Sequence, residues 1–376
     1  KVEKRILVLN TEVSGMNTHL FNQLQQHGWE VDVYDVPFPK RLRWLAYVIS
    51  FSFQMPRWKK KFYYNLDKLY KSSYCFKWRS KVCTNTVKVR QREKEYDLFF
   101  QISSMFKVHI DKNFNVPYAV LVDYTMSLSL KWDPWAPFKN EVSRWIPLEK
   151  EVYKNAKVIF TPSLNTMNSL KNDYAIDQTK IVKTGYGLNF EGMDDFEKDY
   201  DGKTVLFVGF DFMRKGGFAL LDAFKKVRTR ISDARLIIIG PSKGIYQIEH
   251  EGVEFLGSIN DREIVRGYFK KASIFAMPSL CEPFGLVFLE AMAHKLPCVA
   301  SNIDAMPEII KDGETGYIVN PDDIDGLADR IIDLLSNVEK MRLMGRAAYS
   351  KIRESYYTWE QVGEIINKCL LEVVEI

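Results

Sequence analysis

The amino-acid sequence predicts an α/β protein built from two doubly wound parallel-sheet domains. With 376 residues, the chain is too long for one compact hydrophobic core, so two domains are expected. In both halves, apolar runs of strand length alternate with helix-like segments, which favours parallel sheets with helices on both faces. Residues 186–203, with their Gly, Asn and acidic side chains, are the predicted joint between the halves.

The predicted elements follow this alternation along the chain. In the first half the expected strands are 6–9, 30–34, 96–101, 118–123 and 158–161, with a first helix over 18–27. In the second half the expected strands are 204–209, 235–240, 253–256, 274–277 and 297–300, with helices over 217–230, 262–271 and 286–294. We therefore predict an N-terminal domain over 1–190, a C-terminal domain over 191–358, and a final segment, 359–376, whose helix packs back towards the N-terminal domain.

The composition is that of a globular protein, with 46% hydrophobic and 27% charged residues. The five cysteines show neither CxxC nor His-paired spacing, so we expect thiols in a reducing compartment rather than disulfides or zinc. No cleavable signal sequence is recognised, and the longest apolar run, 44–55, is too short to span a bilayer. We expect a cytoplasmic protein, and leave open whether it associates peripherally with a membrane.

The segment from Ser279 to Glu290 carries the strongest functional signal. Pro283 biases Glu282 away from helical backbone geometry, so a helix is expected to begin just after it, with Glu290 inside that helix. The backbone N–H groups of residues 284–287 are then the unpaired donors of a helix N-terminus, which attracts anions. A phosphate site flanked by two carboxylates that can hold sugar hydroxyls suits a nucleotide-sugar.

A second anchor is the turn after the predicted strand 204–209, where Arg214 and Lys215 precede Gly216. Glycine lets the backbone approach a diphosphate, while Arg offers a planar fork of donors and Lys a point charge. Alone, such a pair of cations is most often a solvated surface. Both motifs directly follow strands, however, and the strands of one parallel sheet end at the same edge, where ligands collect.

Four segments together resemble retaining glycosyltransferases of the GT-B fold, close to glycosyltransferase family 4. They are Phe160-Thr-Pro-Ser163, Arg214-Lys215-Gly216, the segment from Glu282 to Glu290, and Gly313-Glu-Thr-Gly-Tyr317. The resemblance is strong from about residue 157 to residue 320 and weak through the first 115 residues. It implies two Rossmann-like domains that face a central cleft, with a nucleotide-sugar donor on the C-terminal domain and the acceptor on the N-terminal domain.

The resemblance also implies roles for individual residues. Arg214 and Lys215 would hold the donor diphosphate, Glu282 would contact hydroxyls of the transferred sugar, and Glu290 would contact the ribose. The candidate catalytic residues are Glu282, Lys215, Arg214 and Asp123. The candidate donor-binding residues are Gly15, Gly209, Arg214, Lys215, Pro241, Ser258, Glu282, Phe284, Gly285, Leu286, Val287 and Glu290.

Three further positions can be compared with the family pattern. Such enzymes usually have adjacent glycines after the first strand, whereas this chain has the single Gly15, which we keep as a close-approach residue near the donor. Asp123 stands where many relatives have His or Asp, and we expect it to contact the acceptor or the transferred sugar, although an Asp that caps a loop would look the same. Phe210 replaces the usual arginine after the strand glycine, so more depends on Arg214 and Lys215.

The proposed chemistry requires no metal. Departure of a nucleoside diphosphate builds negative charge, which cations and a helix N-terminus stabilise. We therefore expect no cofactor beyond the UDP- or GDP-linked donor, and the loops at Pro241 and Ser258, expected to hold the base, do not separate uracil from guanine. We favour retention by front-face attack, because no carboxylate is placed as a nucleophile.

A basic and aromatic stretch is inserted at about residues 40–94. From Arg57 to Lys94, thirteen Lys or Arg stand against two acidic residues, among eight aromatic residues. Two interpretations stay open: a solvated helical face whose aromatic residues pack on the domain, or a surface that meets anionic headgroups. The candidate membrane or acceptor patch is Arg57, Trp58, Lys59, Lys60 and Lys61. No nucleic-acid-binding module is recognised, so we expect no nucleic-acid partner.

Three functional hypotheses follow. The first is a retaining hexosyltransferase that acts on a lipid-linked or polysaccharide acceptor. The second is a nucleotide-sugar epimerase on the same fold, which needs acid and base residues near C2 of the sugar. The third is a non-catalytic protein that binds a membrane surface or a polyanion.

Overall fold

The protein is described by a computed structural model that covers residues 4–11, 16–108, 116–188, 196–241, 250–354 and 357–375. The chain divides into two compact units. Unit 1 consists of Lys1–Gly185 and Trp359–Ile376, and unit 2 consists of Tyr186–Thr358. The boundary between the two units therefore follows Gly185. The sequence predicts this boundary after residue 190.

Unit 1 contains a six-stranded sheet in which all neighbouring strands are parallel. Its strands are β1 (Lys4–Asn10), β2 (Trp29–Asp35), β3 (Leu98–Ile102), β4 (Tyr118–Leu121), β5 (Val158–Thr161) and β6 (Ile181–Lys183). They lie in the order β2-β1-β3-β4-β5-β6, so the direction of winding reverses between β1 and β3. Strands β3, β4 and β5 are buried along their whole length, which matches their continuous apolar sequences.

Helices surround the sheet of unit 1. They are α1 (Met16–Gln26), α2 (Lys40–Ile49), α3 (Met55–Tyr70), α4 (Ser73–Glu93), α5 (Met126–Ser129), α6 (Lys139–Asn155), α7 (Leu164–Asn172) and, after unit 2, the final helix Trp359–Glu375. The final helix packs on α1. The Trp29 indole N–H donates to Asn367 Oδ1 at 2.8 Å, and the rings of His19 and Trp359 stack at 5.5 Å.

The predicted basic and aromatic insertion forms α2, α3 and α4. Helices α2 and α3 pair as a helical hairpin, and the candidate patch from Arg57 to Lys61 lies in the first two turns of α3. Helix α4 packs on α6 and is more buried than α3. The aromatic residues of the insertion therefore divide between core and surface: Phe76 is buried, whereas Tyr63 is exposed.

Unit 2 contains a second six-stranded sheet, also parallel throughout. Its strands are β7 (Thr204–Val208), β8 (Arg235–Ile239), β9 (Val253–Gly257), β10 (Ile274–Met277), β11 (Cys298–Ser301) and β12 (Gly316–Val319). They lie in the order β12-β11-β10-β7-β8-β9, so the winding reverses between β7 and β10. The predicted fold class, two doubly wound parallel sheets, is confirmed.

The helices described in unit 2 alternate with these strands. They are α8 (Gly217–Arg230), α9 (Arg262–Lys271), α10 (Leu286–Ala293), α11 (Met306–Ile309), α12 (Ile324–Leu335) and α13 (Val338–Glu354), so the final helix of the chain is α14. Helices α8 and α9 have the predicted bounds, and the Asp261 side chain caps α9 by accepting from Glu263 and Ile264 N–H. Strands β6 and β12 are not predicted from the sequence, because short strands at a sheet edge have too few residues to show a pattern.

Gly216 allows the turn after β7 to pass close to the neighbouring strand end. Its backbone is left-handed, with φ of 72°, and a Cβ at this position would overlap the carbonyl oxygen of Pro278. Only glycine meets both requirements without strain. The turn that carries Arg214 and Lys215 is thereby held against the loop that follows β10.

We predict that Gly216→Ala destabilises the protein, by about 2–5 kcal/mol, because the left-handed backbone and the overlap with Pro278 both oppose a side chain. Urea unfolding of the full chain measures the effect. Gly267→Ala is the matched control: Gly267 lies in α9, a Cβ there would meet nothing within 4 Å, and alanine favours the helix. Equal stability of the two variants would contradict this account of the turn.

Candidate active site

The candidate site lies where the winding of the unit 2 sheet reverses. Strands β7 and β10 are direct neighbours, with Ile274 paired to Val205 and Phe275 to Leu206. The loops that follow these two strands therefore leave the sheet side by side. At such a switch point the loops diverge and leave a crevice for ligands. The two motifs that the sequence singled out occupy these two loops.

The loop after β7 positions Lys215 across its own beginning. A Cβ on Gly209 would lie only 3.1 Å from Lys215 Cγ, so the absence of a side chain at Gly209 leaves room for the lysine stem. Gly209, predicted as a donor-binding residue, thus allows the Lys215 side chain of the same loop to pack close to the backbone. Phe210, which follows, exposes 73% of its surface.

Arg214 joins the two loops through both backbone and side chain. Its carbonyl oxygen accepts from Leu280 N–H at 2.7 Å, and its Nη1 donates to the Cys281 carbonyl at 2.7 Å. Its Nε lies 3.4 Å from Asp211 Oδ2 in the same turn. Arg214 therefore positions the loop after β10 relative to the loop after β7, in addition to bringing a positive charge to the site.

Glu282 is a buried carboxylate that contacts both cations of the neighbouring loop. Only 5% of the residue is exposed. Its Oε2 accepts from Lys215 Nζ in a short ion pair and from Ser279 Oγ at 3.3 Å, and it lies 3.8 Å from Arg214 Nη1. The backbone N–H of Glu282 donates to Asp304 Oδ2 at 2.9 Å.

The ion pair between Lys215 and Glu282 has a direct electrostatic consequence. Burial lowers the pKa of Lys215, although the Glu282 carboxylate acts in the opposite direction and the nearby Arg214 adds to the lowering. A desolvated ammonium of this kind gains from any further negative charge that comes within reach. An anionic group that reaches the pair therefore competes with Glu282 for Lys215.

Helix α10 supplies backbone donors beside this pair. It begins at Leu286, and its N-cap, Gly285, is left-handed with φ of 84°. A Cβ on Gly285 would lie 2.6 Å from Met306 Cε and 3.2 Å from Glu282 Cγ, so glycine allows the helix to begin close to the carboxylate. The N–H groups of the first turn lack carbonyl acceptors within the helix and carry partial positive charge.

The remaining candidates of α10 lie on either side of this N-terminus. The Phe284 ring is buried and makes edge contacts with Tyr186 and Tyr357, at centroid distances of 5.3 and 6.0 Å. Glu290 is half-buried, four residues after Leu286 and therefore on the same helix face, one turn further along. Val287, in the first turn, is half-buried.

The two loops predicted to hold a nucleobase follow β8 and β9. Gly240 N–H donates to the Gly257 carbonyl at 2.8 Å, which links the ends of these strands. Pro241 is buried directly after Gly240, while Ser258 is exposed directly after Gly257. Both residues thus lie at the carboxyl edge of the sheet, as the alternation predicts, whereas Ser242 and Lys243 fall outside the described residues.

The candidates in unit 1 follow its own sheet. Asp123 is half-buried two residues after β4, where desolvation raises the pKa of its carboxyl, and its carbonyl oxygen accepts from Thr166 Oγ1 at 2.7 Å. The predicted strand 118–123 is therefore two residues too long. Gly15 lies outside the described residues, and Lys60 belongs to α3.

Sequence reasoning missed polar residues at both switch points. In unit 2 they are Ser279 and Asp304, which contact Glu282 directly. In unit 1, Thr11 after β1 and Ser103 after β3 share a hydrogen bond of 2.7 Å between their hydroxyls, and Ser103 has a left-handed backbone with φ of 78°. All four residues lie in loops that follow predicted strands, so the sequence contained a signal for them. To choose them among the other loop residues, however, one must know which strands are neighbours in the sheet.

Comparison with known proteins agrees with this geometry. The family model described as "Glycosyl transferases group 1" matches residues 191–351, which is most of unit 2. A "Phosphatidyl-myo-inositol mannosyltransferase" from Mycobacterium leprae is 36% identical over 177 residues, a match that covers 44% of this chain and 46% of that protein. The chain spans about half the length of the curated relatives it matches.

Two solved structures match nearly the whole chain. A sucrose-phosphate synthase from Thermosynechococcus elongatus aligns over 99% of both chains with a TM-score of 0.72 and 19% identity. The Anabaena protein HepE, solved in complex with UDP and glucose, aligns over 97% of this chain and 99% of its own with a TM-score of 0.64 and 15% identity.

Together these matches define the class. The chain has the GT-B fold, and residues 191–351 match the family model of glycosyl transferases group 1. The resemblance to glycosyltransferases of the GT-B fold that the sequence motifs indicate is confirmed.

Proposed function

We propose that the chain is a retaining glycosyltransferase that moves a hexose from a nucleotide-sugar to a lipid-linked or polysaccharide acceptor. The observation that supports this most strongly is the switch point of unit 2. There Arg214, Lys215, Glu282 and the N-terminus of α10 come together within two adjacent loops. Cations and backbone donors suit a diphosphate, and a carboxylate suits sugar hydroxyls.

In this proposal, the donor diphosphate competes with Glu282 for Lys215. As the diphosphate binds between Lys215 and the N–H groups of α10, the lysine turns to it and the Glu282 carboxylate becomes available to sugar hydroxyls. Arg214 keeps the two loops in register through its bond to the Cys281 carbonyl. Binding thus replaces the Lys215–Glu282 ion pair with two contacts to the donor, one from Lys215 to the diphosphate and one from Glu282 to the sugar hydroxyls.

The transfer step is written as front-face substitution. The bond between the sugar C1 and the β-phosphate oxygen breaks while the acceptor oxygen bonds to C1 on the same face, and the acceptor proton passes to the departing phosphate. Negative charge develops on the diphosphate, where Lys215 and the positive end of α10 stabilise it. In this scheme the protein itself stabilises the charge on the leaving group, and no metal is invoked.

The donor is proposed to be linked to UDP or GDP. The solved structure of HepE is described as a complex with UDP and glucose, and the M. leprae relative is named as a mannosyltransferase. These two names point to different sugars. The loops at Pro241 and Ser258 are proposed to contact the base, and Glu290 the ribose.

Unit 1 is proposed to hold the acceptor. Asp123 follows β4 at the carboxyl edge of its sheet, where desolvation raises the pKa of its carboxyl. We assign it a contact with the acceptor or the transferred sugar. Gly15, after β1, keeps its proposed role as a close-approach residue near the donor.

Peripheral association with an anionic membrane is the second part of the proposal. Within the described residues, no helix combines the length and apolar character needed to cross a bilayer. The patch from Arg57 to Lys61 places cations beside Trp58 at the start of α3. Cations of this kind each contribute roughly 1 kcal/mol to binding at an anionic surface, and the M. leprae relative is named for phosphatidyl-myo-inositol.

The product tests the reaction class. We expect the chain, given an α-linked nucleotide-sugar and an acceptor, to form an α-linked product, which proton NMR identifies by the coupling at the anomeric carbon. Without acceptor we expect slow hydrolysis of the donor. A β-linked product would contradict retention, and a sugar inverted at C2 would show an epimerase instead.

We predict that Lys215→Ala and Glu282→Ala each reduce transfer at least about 10²-fold, because each removes a group that meets charge or hydroxyls in the transition state. Initial rates with donor in excess measure the effect. Lys226→Ala is the control, since Lys226 is an exposed lysine on α8 whose ion pair, among the contacts described, is with exposed Asp325. Wild-type rates in either site variant would overturn the assigned site.

The double variant Lys215→Ala with Glu282→Ala separates catalysis from stability. Each single change leaves the partner charge buried and should lower the melting temperature, whereas removing both charges restores much of it. We expect the double variant to be nearly as stable as wild type and still inactive. Recovery of activity together with stability would show that the pair acts only on folding.

We predict that Arg57→Glu with Lys61→Glu weakens co-sedimentation with anionic phospholipid vesicles by at least about tenfold, because two attractive charges become repulsive. Lys154→Glu with Lys157→Glu makes the same change in net charge at exposed positions of α6 and just after it, and we expect little effect there. Unchanged binding of the first variant, or equal loss in both, would contradict a specific membrane surface.

A further inference from the structure

The hairpin of α2 and α3 contains a groove lined by aromatic rings. The groove has a volume of about 840 Å³, within the range of sites that take small molecules. On each helix the lining residues are spaced three or four apart, so they share one face. From α2 they include Lys40, Arg43, Trp44 and Tyr47, and from α3 they include Trp58 and Lys59.

The walls of this groove are fixed by contacts between the two helices. The Tyr47 and Trp58 rings meet edge to face at 4.5 Å, and the Trp58 indole N–H donates to the Tyr47 carbonyl at 3.3 Å. The Asn65 side chain, in the middle of α3, donates to Oγ of Ser50, the C-cap residue of α2, at 2.9 Å. These bonds hold α2 and α3 at a set distance. The lining residues of α2 extend from Lys40 to Tyr47, which is about 11 Å along the helix axis.

Much of the apolar surface of this hairpin is left in water. Trp44 is 73% exposed and Met55 66%, and both line the groove. At the turn between the helices, Phe53 is 95% exposed, although it does not line the groove. Single exposed apolar residues are ordinary on protein surfaces, but several that lie together on one hairpin indicate an interaction surface.

The charge of the hairpin selects the kind of ligand. Residues 36–66 contain no Asp or Glu, and they contain seven cations: Lys40, Arg41, Arg43, Arg57, Lys59, Lys60 and Lys61. Three of these, Lys40, Arg43 and Lys59, line the groove itself. Among the described residues that line it, none carries a carboxylate, amide or hydroxymethyl group. A groove of rings and cations complements a hydrocarbon chain with an anionic head.

A bound peptide is less well matched by the same surface. Peptides that lie in grooves satisfy their backbone groups through a sheet edge or through a helix of their own, and their specificity comes from side-chain pockets. The two helices of the hairpin offer no sheet edge. The side chains described in the groove are rings, cations and Met55, and their oxygen acceptors are the Tyr hydroxyls. A hydrocarbon chain needs no hydrogen bonds at all.

We propose that the groove between α2 and α3 binds the hydrocarbon chain of a single anionic lipid, with its phosphate held by Lys40 and Arg43. These two cations lie in the first turn of α2, at the end of the hairpin away from the turn at residues 50–54. The chain would extend from them towards Tyr47 and Trp58. Binding in the groove would therefore involve one lipid molecule, in contrast to adsorption of the protein to an anionic surface.

The use of such a lipid as an acceptor or as a membrane anchor rests on the proposed function. Binding itself is measured without donor, acceptor turnover or a bilayer. The Lys215→Ala variant should bind lipid as wild type does, because Lys215 belongs to unit 2. Loss of transfer and loss of lipid binding are therefore distinguishable failures.

The test is calorimetric titration of the full chain with a short-chain phosphatidylglycerol kept below its micelle-forming concentration. Phosphatidylcholine of the same chain length is the neutral comparison. We expect the anionic lipid to bind with one site per chain, and Trp44→Ser with Tyr63→Ser to weaken it at least about tenfold, because both rings are groove surface. Both residues are exposed, so the fold should tolerate these changes.

Two further variants sharpen the result. Phe53→Ser removes an exposed ring outside the groove, so we expect unchanged binding of the monomeric lipid. Lys40→Gln with Arg43→Gln should abolish the preference for the anionic lipid over the neutral one. Circular dichroism of each variant checks that the helices form.

Several outcomes would overturn the proposal. They are binding to vesicles with no binding of monomeric lipid, equal affinity for the neutral lipid, and equal loss in Phe53→Ser and the groove variant. Concentration-dependent dimerisation that disappears with Trp44→Ser and Tyr63→Ser would show instead that a second copy of the chain covers the groove.

Discussion

The buried ion pair between Lys215 and Glu282 is the interaction on which the candidate site depends. Removing two charges from water is costly, and their attraction offsets that cost only with good geometry and further hydrogen bonds. Here Ser279 and Arg214 supply additional contacts to the carboxylate, while Gly209 and Gly285 allow the two loops to approach. The pair is therefore well suited to exchange partners with an anionic ligand, since a diphosphate offers Lys215 more charge than one carboxylate does.

The sequence predicted most of this arrangement, because its signals are local. A strand, a glycine, two cations and a helix start can be recognised in order along the chain, and α8 and α9 begin and end where expected. The contact between Lys215 and Glu282 could not be predicted in the same way. Sequence reasoning assigned both side chains to a ligand, and only the adjacency of β7 and β10 shows that they meet each other first.

The same limit explains the residues that were missed. Asp304 lies after β11 and contacts the Glu282 N–H, but many loops have an Asp after a strand, and a single sequence does not rank them. In the α2–α3 hairpin, the predicted patch from Arg57 to Lys61 is one stretch of sequence. The groove shares Trp58 and Lys59 with that patch, but it also takes Trp44 and Tyr47 from α2. The packing of two helices against each other cannot be seen in one stretch of sequence.

A crystal structure of the chain with the nucleoside diphosphate that it binds best among UDP, GDP and ADP would test the proposed diphosphate site. We expect the β-phosphate between Lys215 Nζ and the N–H groups of Leu286 and Val287, with Lys215 no longer paired to Glu282. A diphosphate bound elsewhere, or one bound while the ion pair stays intact, would contradict this expectation.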